Sequence, residues 1–133
     1  MPDAFNCPCG RLDAKKQALA YARCCGQYLE GKLAAPDAQS LMRSRYSAFV
    51  LENADYLLKT WHVSQRPATL TFEPDVKWLG LQVQIHTVID AQHAEVTFVA
   101  RQRDRTGRAI RLHERSRFVC EDGCWYYVDG DEV

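Results

Sequence analysis

Apolar side chains recur at helical spacing in the first half of the chain and at every second residue in the second half. Ala38, Leu41, Met42, Tyr46, Phe49 and Val50 fall on one face, which predicts an amphipathic helix over 37–51. Asp37 stands where an N-cap or first-turn carboxylate belongs. Tyr56, Leu57 and Trp61 predict a shorter helix over 53–61, and Pro67 and Pro74 then break the pattern. From Trp78 the period becomes two. Leu81, Val83 and Ile85 alternate with Gln82 and Gln84, and Ala94, Val96, Phe98 and Ala100 form a second run. Thr106-Gly107 marks a turn, Ile110, Leu112, Phe118 and Cys120 resume the alternation, and Cys124 to Val128 reads as a last strand. Helices followed by a meander of antiparallel strands predict an α+β fold.

Composition keeps that picture within one core. The 133 residues are 47% hydrophobic and 26% charged, with 17 Lys and Arg against 17 Asp and Glu. These are the proportions of a soluble globular chain, and the aromatic content argues against disorder. No apolar run is long enough to span a bilayer. The N-terminus, Met1 to Cys7, lacks a basic region followed by an apolar one, so no signal peptide and a cytoplasmic location are expected.

The cysteines bring in chemistry. Four of the six cluster as Cys7-Pro8-Cys9 and Cys24-Cys25, and the others are Cys120 and Cys124. In a reducing compartment such clustering favours metal over disulfides. Four thiolates suit one structural Zn²⁺ per chain, and they close its coordination sphere, leaving no open catalytic position. Pro8 and Gly10 shape the first turn, and Gly26 follows the second. Residues 14–21, between the pairs, read as a short helix that returns the chain to the metal. Charge is consistent with this reading. Residues 1–35 carry five Lys or Arg and three Asp or Glu, and four thiolates with one Zn²⁺ bring that segment to neutrality. The competing reading is four small packed thiols. Asp122-Gly123 predicts a hairpin turn that sets Cys120 and Cys124 facing each other, most simply as packed thiols.

Cys7-Pro8-Cys9-Gly10 with Tyr21-Ala22-Arg23-Cys24-Cys25-Gly26 resembles the SEC-C type of zinc motif, with a longer gap between the cysteine pairs than is usual. Leu41-Met42-Arg43-Ser44-Arg45-Tyr46-Ser47-Ala48-Phe49, Thr60-Trp61-His62, His113-Glu114-Arg115-Ser116-Arg117-Phe118 and Trp125-Tyr126-Tyr127-Val128-Asp129-Gly130 resemble signatures of the bacterial YchJ family. The resemblance implies an NTF2-like cone, helices packed in a curved sheet, over 37–133. It implies a small zinc-knuckle-like module over 1–33, joined to the cone by Leu33-Ala34-Ala35-Pro36. It brings no established reaction.

Two polar features stand out against the apolar pattern. Arg45 lies on the apolar face of the first helix, and Glu114 and Ser116 lie on the strand face of Leu112 and Phe118. A buried arginine needs partners, so Arg45 and Glu114 are expected to meet through a two-bond fork with Ser116 nearby. One reading is a structural ion pair. The other is the polar floor of a pocket rimmed by Tyr46, Trp61, His62, Trp125 or Tyr127. Residues 101–117 also hold seven Arg against two acids, and alternation puts Arg101, Arg103, Arg111, His113, Arg115 and Arg117 on the outer sheet face. Five acids over 121–133 can neutralise that face, and aromatic interleaving is missing from it, so nucleic acid is not the expected partner.

Three functions follow from these features. The first is a binding or adaptor protein whose zinc module docks a protein partner. The second is a small-molecule-binding or enzymatic cone with His62 or Glu114 as acid–base group. The third is nucleic-acid binding by the arginine face. Membrane association is not expected, and the sequence leaves monomer and homodimer open.

Overall fold

The computed structural model describes residues 5–133. Residues 1–4, with which the predicted module begins, lie outside the described residues. Three helices, α1 (Gly26–Leu29), α2 (Ala38–Val50) and α3 (Ala54–Lys59), precede four strands. These are β1 (Lys77–Asp90), β2 (His93–Arg103), β3 (Ala109–Glu121) and β4 (Cys124–Glu132), which form one antiparallel sheet in the order β1-β2-β3-β4. The α+β pattern of the sequence is the pattern of the fold, and α2 lies against β1, β2 and β4. No helix among the described residues is long and apolar enough to cross a membrane.

Local chemistry explains the element ends. Asp37 caps α2, its Oδ1 accepting from the Ser40 amide at 2.7 Å, and Asn53 caps α3 by accepting from the Tyr56 amide. Asp37→Ala should therefore cost about 1 kcal/mol, read as a lower midpoint in thermal or urea unfolding. An unchanged midpoint would mean that the cap is replaced by solvent at no cost. In the sheet, Asp104 closes the β2–β3 turn by accepting from the amides of Thr106 and Arg108. Asp122 and Gly123, both at positive φ, form the two-residue β3–β4 turn.

That turn corrects one expectation. It pairs Glu121 with Cys124 and Cys120 with Trp125. Side chains alternate along a strand, so the two cysteines point to opposite faces of the sheet.

A second correction concerns residues 14–21, where no helix forms. The segment folds back through antiparallel bridges, Asn6 with Ala20 and Leu12 with Ala18, around a turn in which Asp13 Oδ1 accepts from the amides of Lys15 and Gln17. The reason is reach. Eight helical residues would carry the chain roughly 12 Å onward, whereas a hairpin returns it to its start. Only then does a single 3-10 turn, Tyr21–Arg23, lead into α1.

The cysteine segment and the cone share one core. Cys7, Cys9, Cys24 and Cys25 belong to the same buried cluster as Leu41, Met42 and Tyr46 of α2 and Val96 and Phe118 of the sheet.

Candidate metal centre and cone cavity

The hairpin and α1 bring the four N-terminal cysteines to one point. All four are buried, Cys9 and Cys25 almost completely, and their sulfurs lie within 4.8 Å of one another. Cys9 Sγ and Cys24 Sγ are 3.6 Å apart. A tetrahedral ion with Zn–S bonds of about 2.3 Å sets its sulfurs roughly 3.8 Å apart, so the donor set fits such an ion. The backbone is shaped for this approach. Gly10 turns at φ +74°, a left-handed conformation that suits glycine. Gly26 touches Tyr21, and a Cβ there would stand 2.7 Å from the Tyr21 carbonyl oxygen.

Electrostatics point the same way. Hydrogen bonds from Cys24, Cys25 and Cys9 hold the Cys7 thiol far below its ordinary range. Cys24 and then Cys25 hold the Cys9 thiol down to about 7, against Cys7 and burial, which raise it. Cys25 is pushed strongly upward by its hydrogen bonds to Cys24, Cys7 and Cys9 and by burial. Two thiols are held down while Cys24 and Cys25 are pushed up, because four negative charges this close repel one another; a divalent cation would let all four sulfurs act as thiolates.

Second contacts tie the cluster to α2. Cys7 Sγ lies 3.6 Å from Ser47 Oγ. Arg43 donates to the Cys9 carbonyl at 3.1 Å, and Arg11 donates to Ser40 Oγ at 2.9 Å. Sequence reasoning missed Arg11, Arg43 and Ser47, because partners between segments carry no periodic signal.

The second site is a cavity of about 310 Å³ between α2 and the inner face of the sheet. Its walls are mainly aromatic, with Trp61, Trp78, Phe98, Phe118 and Tyr127 among them. Arg45, Glu114 and Ser116 supply its polar groups, and Tyr46 also lines it. Phe98 and Trp78, whose alternation marks them only as core, complete the wall. A larger groove of about 500 Å³ lies beside the end of α2, but its acids Glu52, Glu73 and Asp75 are all exposed, and no buried donor or acceptor converges there.

The expected Arg45–Glu114 fork does not form. Arg45 Nη1 instead donates to the Leu57 carbonyl at 2.8 Å and to Thr60 Oγ1 at 2.7 Å. The guanidinium lies against the rings of Tyr127 and Trp61, 4.6 and 5.2 Å from their centroids. The end of α3 captures the arginine because its last carbonyls lack helical partners and attract a cation. Burial draws the Arg45 pKa down to about 10, opposed by Tyr127, Tyr56 and Glu114, so the group is charged at neutral pH. Glu114 is held separately, its Oε2 accepting from Ser116 Oγ at 2.7 Å. Gly130 leaves room for this carboxylate, since a Cβ there would lie 2.8 Å from it.

Two predicted rim residues lie elsewhere. His62 sits outside the cavity between Ser64 Oγ, 2.7 Å from Nδ1, and Glu121 Oε1, 2.9 Å from Nε2. Its backbone amide donates to Tyr127 O, which turns the ring toward the β3–β4 turn. Trp125 points to a separate hollow beside Tyr28 and Tyr56. A helix end fixes where a backbone goes, not where its side chain points, and Trp125, which shares the inner face with Tyr127, lies two residues nearer the β3–β4 turn, past the end of the cavity.

On the outer face the arginines divide. Arg117 pairs with Asp129 and Asp131 at 2.6 Å, and Arg115 approaches Asp131 at 3.7 Å. His113 meets Gln84 at 2.9 Å. Arg101 stands directly opposite Arg111, and Arg103 opposite Lys77 and Ala109.

Comparison with known proteins places this geometry. A family model described as YchJ, middle NTF2-like domain, matches residues 37–130. A UPF0225 protein of Polaromonas sp. (strain JS666) is 65% identical over 128 residues, 95% of this chain and 92% of that protein. A UPF0225 protein of Bordetella pertussis is 58% identical, covering 95% of this chain and 92% of its own length. The solution structure of a SEC-C motif containing protein from Rhodopseudomonas palustris has a TM-score of 0.80 and 31% identity, covering 97% of this chain and 99% of that one. The crystal structure of a SEC-C motif containing protein from Psychrobacter arcticus also has a TM-score of 0.80, at 32% identity, over 99% of this chain and 85% of that one.

Proposed function

The chain belongs to the YchJ family, with an NTF2-like cone, and from that premise we propose that it is a small-molecule-binding protein whose cone is fastened by a structural zinc ion. One observation carries the reading: an aromatic cavity of about 310 Å³ into which a buried cation and a carboxylate both turn, without pairing to each other. Binding sites are mostly apolar hollows with a few convergent polar groups, and this cavity has that make-up. Zinc is the metal of choice for four buried thiolates in a closed tetrahedral set. The docking role for the cysteine module has less support. Its sulfurs are buried, and its polar contacts run to α2.

The three tryptophans provide a direct test. Trp61 and Trp78 line the cavity and Trp125 does not. In a two-dimensional NMR titration with small neutral aromatic compounds, the indole signals of Trp61 and Trp78 should move while that of Trp125 stays. A panel that leaves both cavity indoles unmoved at millimolar concentration would sink the reading. Capture of a protein partner lost in Cys9→Ser, with no response of the cavity, would restore the docking role instead.

A further inference from the structure

The polar groups of the cavity say more about what it takes. We infer that its ligand is a neutral aromatic molecule with a hydrogen-bond acceptor and a donor on one edge, such as an aromatic carboxamide or lactam. This rests on the reading of the cone as a binding cavity.

A guanidinium has five N–H groups. Arg45 uses Nη1 on Leu57 O and Thr60 Oγ1, and among the described residues neither Nε nor Nη2 has an acceptor. Arg45 is 6% exposed and lines the cavity, and neither of these nitrogens is sealed from solvent, so the open space of the cavity reaches them. Glu114 is the complement. Ser116 occupies Oε2, and Oε1 has no donor among the described residues. The two groups are held apart by different anchors, Arg45 by the end of α3 and Glu114 by Ser116 with Gly130 behind it. A ligand edge that accepts from Arg45 and donates to Glu114 satisfies both.

Charge then discriminates. The cavity holds one cation and one anion, so its net charge is zero. A carboxylate ligand gains from Arg45 and is repelled by Glu114. An ammonium ligand gains from Glu114 and is repelled by Arg45. A neutral amide gains from each and is repelled by neither. A ligand that covers these groups without pairing them leaves them desolvated and unsatisfied, a large penalty that makes the distinction steep. The aromatic walls select for a flat ring as the body of the ligand.

Benzamide, benzoate and benzylamine are the probes, titrated into the metal-loaded full chain with the Trp61 and Trp78 indole signals as readout. Benzamide should bind about tenfold or more tightly than either charged analogue. Glu114→Gln removes the anion and keeps the shape, so it should tighten benzoate by about tenfold or more and weaken benzylamine. Benzoate or benzylamine equalling benzamide on the wild-type protein overturns the inference without any variant, while the cavity reading stands. An unchanged benzoate affinity in a folded Glu114→Gln protein does the same. If none of the three probes moves either indole, the cavity reading fails and takes this inference with it.

Discussion

Removing the metal should unfold residues 5–35 and lower the melting temperature of the whole chain by more than about 10 °C. The cysteine segment has almost no regular structure to fall back on: two isolated bridges, a 3-10 turn and a four-residue helix. Its four sulfurs are buried in the core that also holds Leu41, Met42 and Tyr46. Structural zinc in small modules contributes about 10–16 kcal/mol of apparent binding energy. If only about 3 kcal/mol of this reaches global stability, a chain of this size loses roughly 10–15 °C. The check is thermal unfolding of the loaded protein, of the protein stripped by a strong chelator, and of Cys9→Ser, with metal counted by elemental mass spectrometry. One zinc per chain, lost together with the stability, is the expected result. A stripped protein that melts within about 2 °C of the loaded one would reduce the cluster to four packed thiols. Leu41 of α2 and Phe118 of β3 share the core with the cysteines, so their backbone amides should lose exchange protection along with the module.

What could be read from the sequence follows the reach of its periodic signals. Helix α2 was legible because its apolar residues sit on one face and Asp37 caps it, and the strands because apolar residues alternate over parts of each, as at Leu81 and Val83 or Val96, Phe98 and Ala100, although a register shift in β1 turns Ile85 to the outer face. The metal ligands were legible because cysteine is rare and these four are clustered. The segment between them was not. Ala14 to Tyr21 has good helix propensity, but the need to bring Cys7 and Cys9 against Cys24 and Cys25 overrides it. Arg45 was correctly placed inside, yet its partners are the Leu57 carbonyl and Thr60, and a backbone carbonyl has no sequence signature. His62 depended on direction beyond a helix end, where periodicity gives none, and Trp125 on how far along β4 the cavity extends, which alternation of faces does not show.

The same contacts, to a helix end and to two aromatic rings, make Arg45 a sensitive position in the cone. Arg45→Met should destabilise the protein by about 2–4 kcal/mol, since it removes two hydrogen bonds from a charged donor, each worth about 1.5–3 kcal/mol before the relief of desolvating the charge. Three losses combine. The Leu57 carbonyl, near the end of α3, loses its donor, Thr60 Oγ1 loses a second contact, and Glu114 is left in an aromatic cavity with no cation beside it. Arg45→Lys should recover only part of this. An ammonium can reach one carbonyl, but it cannot lie as a plane against both Trp61 and Tyr127. The third loss can be separated from the other two. Glu114→Gln added to Arg45→Met removes the stranded charge, so the double variant should regain about 1–2 kcal/mol relative to Arg45→Met. Urea unfolding of the four proteins at neutral pH gives the cycle. Strict additivity would mean that Arg45 and Glu114 do not sense each other across the cavity, and the positive and negative ends assigned to it would then act as two independent structural anchors. A measured coupling with no direct bond between the two side chains would instead locate that coupling in the space between them, which is where a bridging ligand edge would sit.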